Sequence, residues 1–170
     1  MPVDATKVRV GASGKIWHAP LGTALPTDTT IALNVAFVEV GYISDEGVAA
    51  DPEDSTTDIR AWGGDLVRRV ISEYGETYGF TMLETNVNAI AAYYGNGTAT
   101  AWEGKLLEVR KAWVFHITDG AAIRRICLPD ASVTDRGGIT YATTAAIGYP
   151  VTVSTFPNAT GVHSFHYASA

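Results

Sequence analysis

Apolar and polar residues alternate along most of this chain, the pattern of strands with one face buried. The clearest case runs from Glu76 to Thr85, where Tyr78, Phe80 and Met82 alternate with Thr77, Gly79 and Thr81. A second strong strand, Asp65 to Tyr74, precedes it across Gly75. Shorter strands are expected at Lys7–Val10, Lys15–Ala19, Phe37–Ile43 and Ile59–Trp62, with a turn at Gly11–Gly14 and a Pro/Gly/Thr-rich loop at Leu21–Thr30. Farther on, Leu107, Val109, Trp113, Phe115 and Ile117 share one side of a strand over Lys105–Thr118. Asp119-Gly120 signals a hairpin turn, with Ala121–Leu128 as the returning strand. Further strands are expected at Gly138–Thr143, Ile147–Phe156 and Val162–Tyr167. One helix breaks the pattern: Thr85 or Asn86 can cap it, Val87, Ile90, Ala91 and Tyr94 form its apolar face, and Gly95 can close it. The reading is a single, mainly β domain over residues 1–170: an antiparallel β-sandwich or barrel-like core with one flanking α-helix.

One stretch carries no such alternation of large apolar residues. Ser44 to Asp58 holds Asp45, Glu46, Asp51, Glu53, Asp54 and Asp58 without a Lys or Arg, and these acids equal the formal net charge of -6. So polar a segment buries too little to offset about 1–2 kcal/mol of backbone entropy per residue. It is therefore expected to be a long inter-strand loop that orders only against a partner. The ends are expected to behave similarly, with an N-terminal arm over Met1–Thr6 and a C-terminal arm after Pro157 reaching neighbouring chains.

Composition narrows the function classes. Hydrophobic residues make up 46% of the 170-residue chain and charged residues 18%, which fits a globular domain. No apolar run is long enough to span a bilayer, and the start lacks the basic stretch of a signal peptide, so neither export nor a membrane role is expected. A pI near 5.1 disfavours general nucleic-acid binding, which needs net Lys and Arg at the contact. Cys127 is the single cysteine, and its alternation with Ile123 and Arg125 suggests packing.

Chemical signatures are sparse. Phosphate-loop, dinucleotide and zinc-protease patterns are absent, and Gly11-Ala-Ser-Gly14 is not a nucleophile elbow. His163 and His166 lie three apart in an expected strand and so point to opposite faces. The acidic stretch lacks the spacing of a calcium loop. No catalytic residue, metal or cofactor is assigned. The basic doublets Arg68-Arg69, Arg110-Lys111 and Arg124-Arg125 each fall on an expected strand, where one member must face inward. They are candidates for subunit interfaces, meeting acids on a neighbouring copy.

Taken in order, Gly41-Tyr-Ile-Ser-Asp-Glu-Gly-Val48, the polar loop, Ile59-Arg-Ala-Trp-Gly-Gly64, Val67–Glu73, Tyr78–Asn86 and Ala92-Tyr-Tyr-Gly95 resemble the tail tube (major tail) subunits of siphophages, nearest to those of phages infecting actinobacteria. The strand pair Val109–Asp119 and Ile123–Pro129, then Tyr149-Pro-Val-Thr-Val153, continue the similarity over most of the chain.

The resemblance implies a structural virion protein of the tail, made in the host cytoplasm. Its hexameric rings would stack into a hollow tube that conducts DNA without binding it specifically. Implied partners are further copies of the chain and the tape measure, tail terminator and tail tip proteins. Ser44, Asp45, Glu46, Asp51, Glu53, Asp54 and Asp58 occupy the position of the inter-ring stacking loop. An acidic lining would let a duplex slide, and Glu39, Asp58, Glu73 and Glu76 are the candidates for that charge. Rival readings are a β-sandwich module binding carbohydrate or another surface ligand, with Trp17, Trp62, Trp102 and Trp113 as a stacking platform; a small hydrolase with dispersed acids; or another virion ring such as a tail terminator.

Overall fold

The alternating strands assemble into one antiparallel sheet in a computed structural model that describes every residue except Met1, Pro2, Ala5, Thr6, Ala99, Leu106 and Ala170. In chain order the elements are β1 (Ser13–Pro20), β2 (Val38–Glu39), β3 (Ile43–Arg60), β4 (Leu66–Met82), α1 (Val87–Tyr94), β5 (Lys111–Asp119), β6 (Ala122–Arg136), β7 (Tyr149–Thr155) and β8 (Phe165–Ala168). Across the sheet the order is β2-β1-β5-β6-β7-β4-β3, with β8 added to β6.

Most of the period-two residues named from sequence fill the interior, whereas Leu107 and Val109, which precede β5, are exposed. Ile16, Tyr78, Phe80, Met82, Trp113, Phe115, Leu128, Tyr149, Val151 and Val153 form one buried cluster with Ile90 and Tyr93 of α1. Tyr78 stacks on Phe115 at 5.1 Å between ring centroids, and Phe80 meets Trp113 edge-on at 5.9 Å. Such aromatic pairs contribute about 0.5–1.5 kcal/mol beyond the area they bury.

Ala112, Val114 and Cys127 point to the opposite face and pack against Ala19, Phe37, Leu25 and Leu33. Arg125 ties the connection between β1 and β2 down over that face. Its Nη1 donates to the carbonyls of Asp28 at 2.9 Å and Ile31 at 2.7 Å. Burial holds the Cys127 thiol up at about 12, so it is an inert packing group.

The helix forms where its capping residues place it. Asn86 Oδ1 accepts the Ala89 N–H at 2.8 Å, while its Nδ2 donates to the Val40 carbonyl at 3.1 Å. Gly95 ends the helix at φ 75°, and an added Cβ there would lie 2.4 Å from the Leu107 carbonyl oxygen.

Several expected boundaries shift. β4 runs unbroken through Gly75. β5 starts at Lys111 and not near residue 105, and Gly138–Thr143 is irregular apart from an isolated bridge between Ala142 and Ala145. Lys7–Val10 has the alternation of a strand but joins no strand among the described residues: the Lys7 N–H turns back to the Asp4 carbonyl at 3.1 Å and the Val10 N–H donates to the Asp119 carboxylate at 3.2 Å. The sequence after Pro157 turns at Asn158–Gly161 and returns as β8 on β6, so it is part of the body and not a free arm. Of the expected N-terminal arm, Met1, Pro2, Ala5 and Thr6 lie outside the described residues.

The largest correction concerns Ser44–Asp58, which is strand and not loop. β3 pairs with β4 from Ile43 to Arg60, across register shifts after Ile43, Ser55 and Ile59. Backbone pairing with a strand already anchored in the core satisfies the donors and acceptors of this polar segment without burying its side chains. That ladder offsets backbone entropy that the polar side chains do not.

Replacing Asn86 by Ala removes both the cap and the tether to Val40. A loss of about 1–2 kcal/mol is expected in denaturant titration, with the native fold retained. His18 supplies a pH signature: burial, then the nearby Lys111 charge, hold it down at about 4. The unfolded chain therefore binds the extra proton as pH falls below 6.5. Stability should decline between pH 6.5 and pH 4, by up to roughly 3 kcal/mol from this group. A His18→Phe variant whose melting curves keep the parental pH slope in that window would show the cause to lie elsewhere.

Candidate assembly surface

β4 belongs to two environments. From Thr77 to Met82 it is flanked by β7 on one side and β3 on the other, whereas Leu66–Glu76 has β3 alone. Beyond Glu76 the pair is therefore a two-stranded ribbon leaving the body, and its side chains on both faces are largely exposed. An isolated two-stranded hairpin in water is marginal. Ala61–Asp65 closes the ribbon through Ala61 N–H to the Asp65 carbonyl (2.8 Å) and Gly64 N–H to the Ala61 carbonyl (2.9 Å), with Gly64 at φ 92°. Trp62 is fully exposed at this tip, and Ile59, Leu66, Val67, Ile71 and Tyr74 add apolar surface behind it.

The acids assigned from sequence fall in different surroundings. Ser44, Asp45 and Glu46 lie in the bulged start of β3, before regular pairing resumes at Val48. The Ser44 hydroxyl is buried there without a hydrogen-bond partner among the described residues. Asp51, Glu53, Asp54 and Asp58 follow along the ribbon. Asp58 is bidentate to Arg69, at 2.7 and 3.2 Å, and lies 3.5 Å from Arg60. Glu39 pairs with Lys15 at 3.0 Å. Glu76 accepts the hydroxyls of Tyr74 and Tyr78 at the root of the ribbon. Burial, then the hydrogen bond to Glu76, holds the Tyr78 hydroxyl far above its ordinary range. Of the four lumen-charge candidates, Glu73 alone has neither an ion pair nor a side-chain hydrogen bond among the described residues.

Register shows which groups share a face. Asp51 lies opposite Thr77, Glu53 opposite Gly75 and Ser55 opposite Glu73; Thr77 in turn lies opposite Ser154, and Gly79 opposite Thr152. On β6, Ser132 and Asp135 register with Ser154 and Thr152. Directly paired residues project to the same side. One sheet face therefore carries Asp51, Glu53, Glu73 and Asp135 among hydroxyls and glycines, with Arg68, opposite Ile59, as its cation on β3 and β4. The sequence alone could not find Asp135's membership, because register joins it to β7.

The basic doublets divide as alternation requires, except on the ribbon. Arg124 is exposed and Arg125 buried. Arg110 pairs with Asp130 and lies over the Phe156 ring at 4.3 Å. Lys111 turns inward, donates to the Ala91 carbonyl at 3.3 Å, and is pushed down to about 8 by burial. Arg68 and Arg69 are both exposed, since neither face of the ribbon is covered. Inward charges are thus met by carbonyl oxygens, and Arg69 and Arg110 by carboxylates of the same chain.

Three further features bear on the candidate chemistry. No group of three or more His, Cys, Asp or Glu that could hold a metal occurs among the described residues. Among those residues, too, no helix is long and apolar enough to cross a membrane. The four tryptophans do not form a platform: Trp113 is buried in the interior, Trp17 packs on the opposite face with its ring edge-on to His116 at 6.2 Å, Trp62 sits at the ribbon tip, and Trp102 stacks near Tyr94 at 6.1 Å.

The fold is shared with solved structures of distant sequence. The anti-feeding prophage cap, described as the tube-terminating cap, superposes with a TM-score of 0.55 at 10% identity, over 99% of this chain and 97% of that one. A chain from the sheath-tube complex of an extracellular contractile injection system, PVC, in its extended state gives 0.52 at 8% identity, over 99% and 100%. No curated protein is similar enough to count as a relative. A family model described as "Phage tail tube protein" matches residues 1–169. With that match over nearly its whole length, the chain belongs to the phage tail tube protein family.

Proposed function

We propose that this protein polymerises as stacked hexameric rings into the hollow tail tube of a siphophage and serves as a non-enzymatic conduit for DNA. The observation that carries this reading is the β3–β4 ribbon. It leaves the body with both faces exposed, an unpaired strand edge on β3, and an apolar tip at Trp62. Such a surface is a liability in a monomer and an asset in an assembly, where a neighbouring copy covers it. In this reading Ser44–Asp58 is the rigid side of an arm that stacks one ring on the next. Interfacial placements for Arg68 and Arg124, both exposed, follow from the same reading.

The hydroxyl- and acid-bearing face supplies the lumen. Cations there would hold phosphates through counterion release, whereas carboxylates repel the duplex and leave it free to slide. Glu73 and Asp135 carry this role best. Glu39 and Asp58 are neutralised by their own ion pairs, and Glu76 is held by two tyrosines. Tape measure, terminator and tip proteins would complete the tail, with synthesis in the host cytoplasm.

Electron microscopy of the purified protein across a concentration series tests the assembly. Long hollow tubes are expected, and closed single rings that never stack would favour a terminator role. Trp62→Ala should weaken tube formation while changing monomer stability by no more than about 0.5 kcal/mol, because the side chain is fully exposed in the subunit. Glu73→Lys with Asp135→Lys should leave tubes intact but slow genome delivery by phage carrying the variant. Parental infectivity in that double variant would remove these residues from the lumen.

A further inference from the structure

The N-terminal segment Lys7-Val-Arg-Val10 alternates charge and β-branched residues as a strand does, yet it joins no strand. All of its residues are exposed. One end is fixed to the body, where the Val10 N–H donates to the Asp119 carboxylate at 3.2 Å and the Ala12 N–H to the Thr118 carbonyl at 3.0 Å. At the far side of the sheet, β3 is the terminal strand, so its outer backbone edge is unpaired along the ribbon. That edge is acidic where the segment is basic.

The spacing also matches. Lys7 and Arg9 are two residues apart, as are Asp51 and Glu53, and positions two apart on a strand share one face. Placed edge to edge, both cations lie beside both carboxylates, while Val8 falls beside Pro52 on the other face. Pro52 offers no N–H, which suits an edge position and keeps the added ladder short. Within one subunit a cleft of about 870 Å³ runs between Gly11–Ile16 and Gly41–Val48, and neither Lys7–Val10 nor Asp51–Glu53 is among its lining residues.

We propose that Lys7–Val10 of one copy adds as a short strand to the outer edge of β3 in a neighbouring copy, pairing Lys7 and Arg9 with Asp51 and Glu53. The proposal rests on the assembly reading above and names the contact that joins adjacent subunits within it. The pairing gives an unused strand sequence its ladder, covers an open edge and sets register by charge. It also leaves Glu73 and Asp135 as the uncompensated acids of the lumen face.

Charge exchange tests it. Lys7→Glu/Arg9→Glu and Asp51→Lys/Glu53→Lys are each expected to raise the concentration needed for assembly about tenfold, read by sedimentation and microscopy. The four substitutions together should restore assembly to near the parental level. All four sites are exposed, so unchanged thermal midpoints are expected and verify folding. In a separate variant, Arg9→Cys/Glu53→Cys, mild oxidation should give chains cross-linked to one another, and the buried Cys127 does not interfere. Reversal variants that assemble like the parent, a combined variant no better than either half, or a cross-link closing within one chain would overturn the pairing. Parental tubes with unaffected reversal variants would overturn this contact alone. A parental protein that forms neither tubes nor inter-chain cross-links would take the assembly reading with it.

Discussion

The backbone ladder between β3 and β4 is the constraint on which the rest of the molecule depends. At one end β4 carries Tyr78, Phe80 and Met82 into the core, so its position is fixed by burial. At the other end the same strand continues into solvent and holds β3 through the backbone ladder and the Asp58–Arg69 pair, without a buried core. Anchoring through the core makes an otherwise marginal ribbon a defined projection. The edge of β3, the tip at Trp62 and the acidic face all inherit their placement from it.

Charge is distributed in keeping with that division. Inside the body, isolated cations are satisfied by carbonyls: Arg125 pins the β1–β2 connection and Lys111 meets the C-terminal end of α1. This arrangement avoids burying carboxylates, whose desolvation can exceed the Coulombic gain. On the ribbon, opposite charges such as Asp58 and Arg69 pair across strands and reinforce register. The acids left over gather on one face, next to hydroxyls. A surface of that kind suits passage of a polyanion better than capture of one.

The edge strands show the same economy. A sheet with two unpaired ends invites uncontrolled association, and β3 counters this with like charges and Pro52. A basic partner strand relieves the repulsion, whereas a second copy of β3 does not. Selective pairing of unlike edges is what a closed ring requires, since each subunit must offer two different surfaces.

Much of this was legible in the sequence, for a local reason. Period-two alternation at Tyr78, Phe80 and Met82, the Asp119-Gly120 turn, the Asn86 cap and the Gly95 stop are read from neighbouring residues, because strand pleat and helix capping are short-range constraints. The sequence by itself thus determined a mainly β chain with one helix, and the similarity of its ordered segments to tail tube subunits. It misassigned Ser44–Asp58 because a polar strand is stabilised by its partner's backbone, which side-chain composition does not record. It placed Lys7–Val10 in a strand because propensity was present where no partner strand is found among the described residues. Only the tertiary structure decided which acids share a face, which member of each basic doublet turns inward, and where the sheet leaves an edge open. Those outcomes depend on register between strands far apart in sequence, and register is a property of pairing, not of either strand alone.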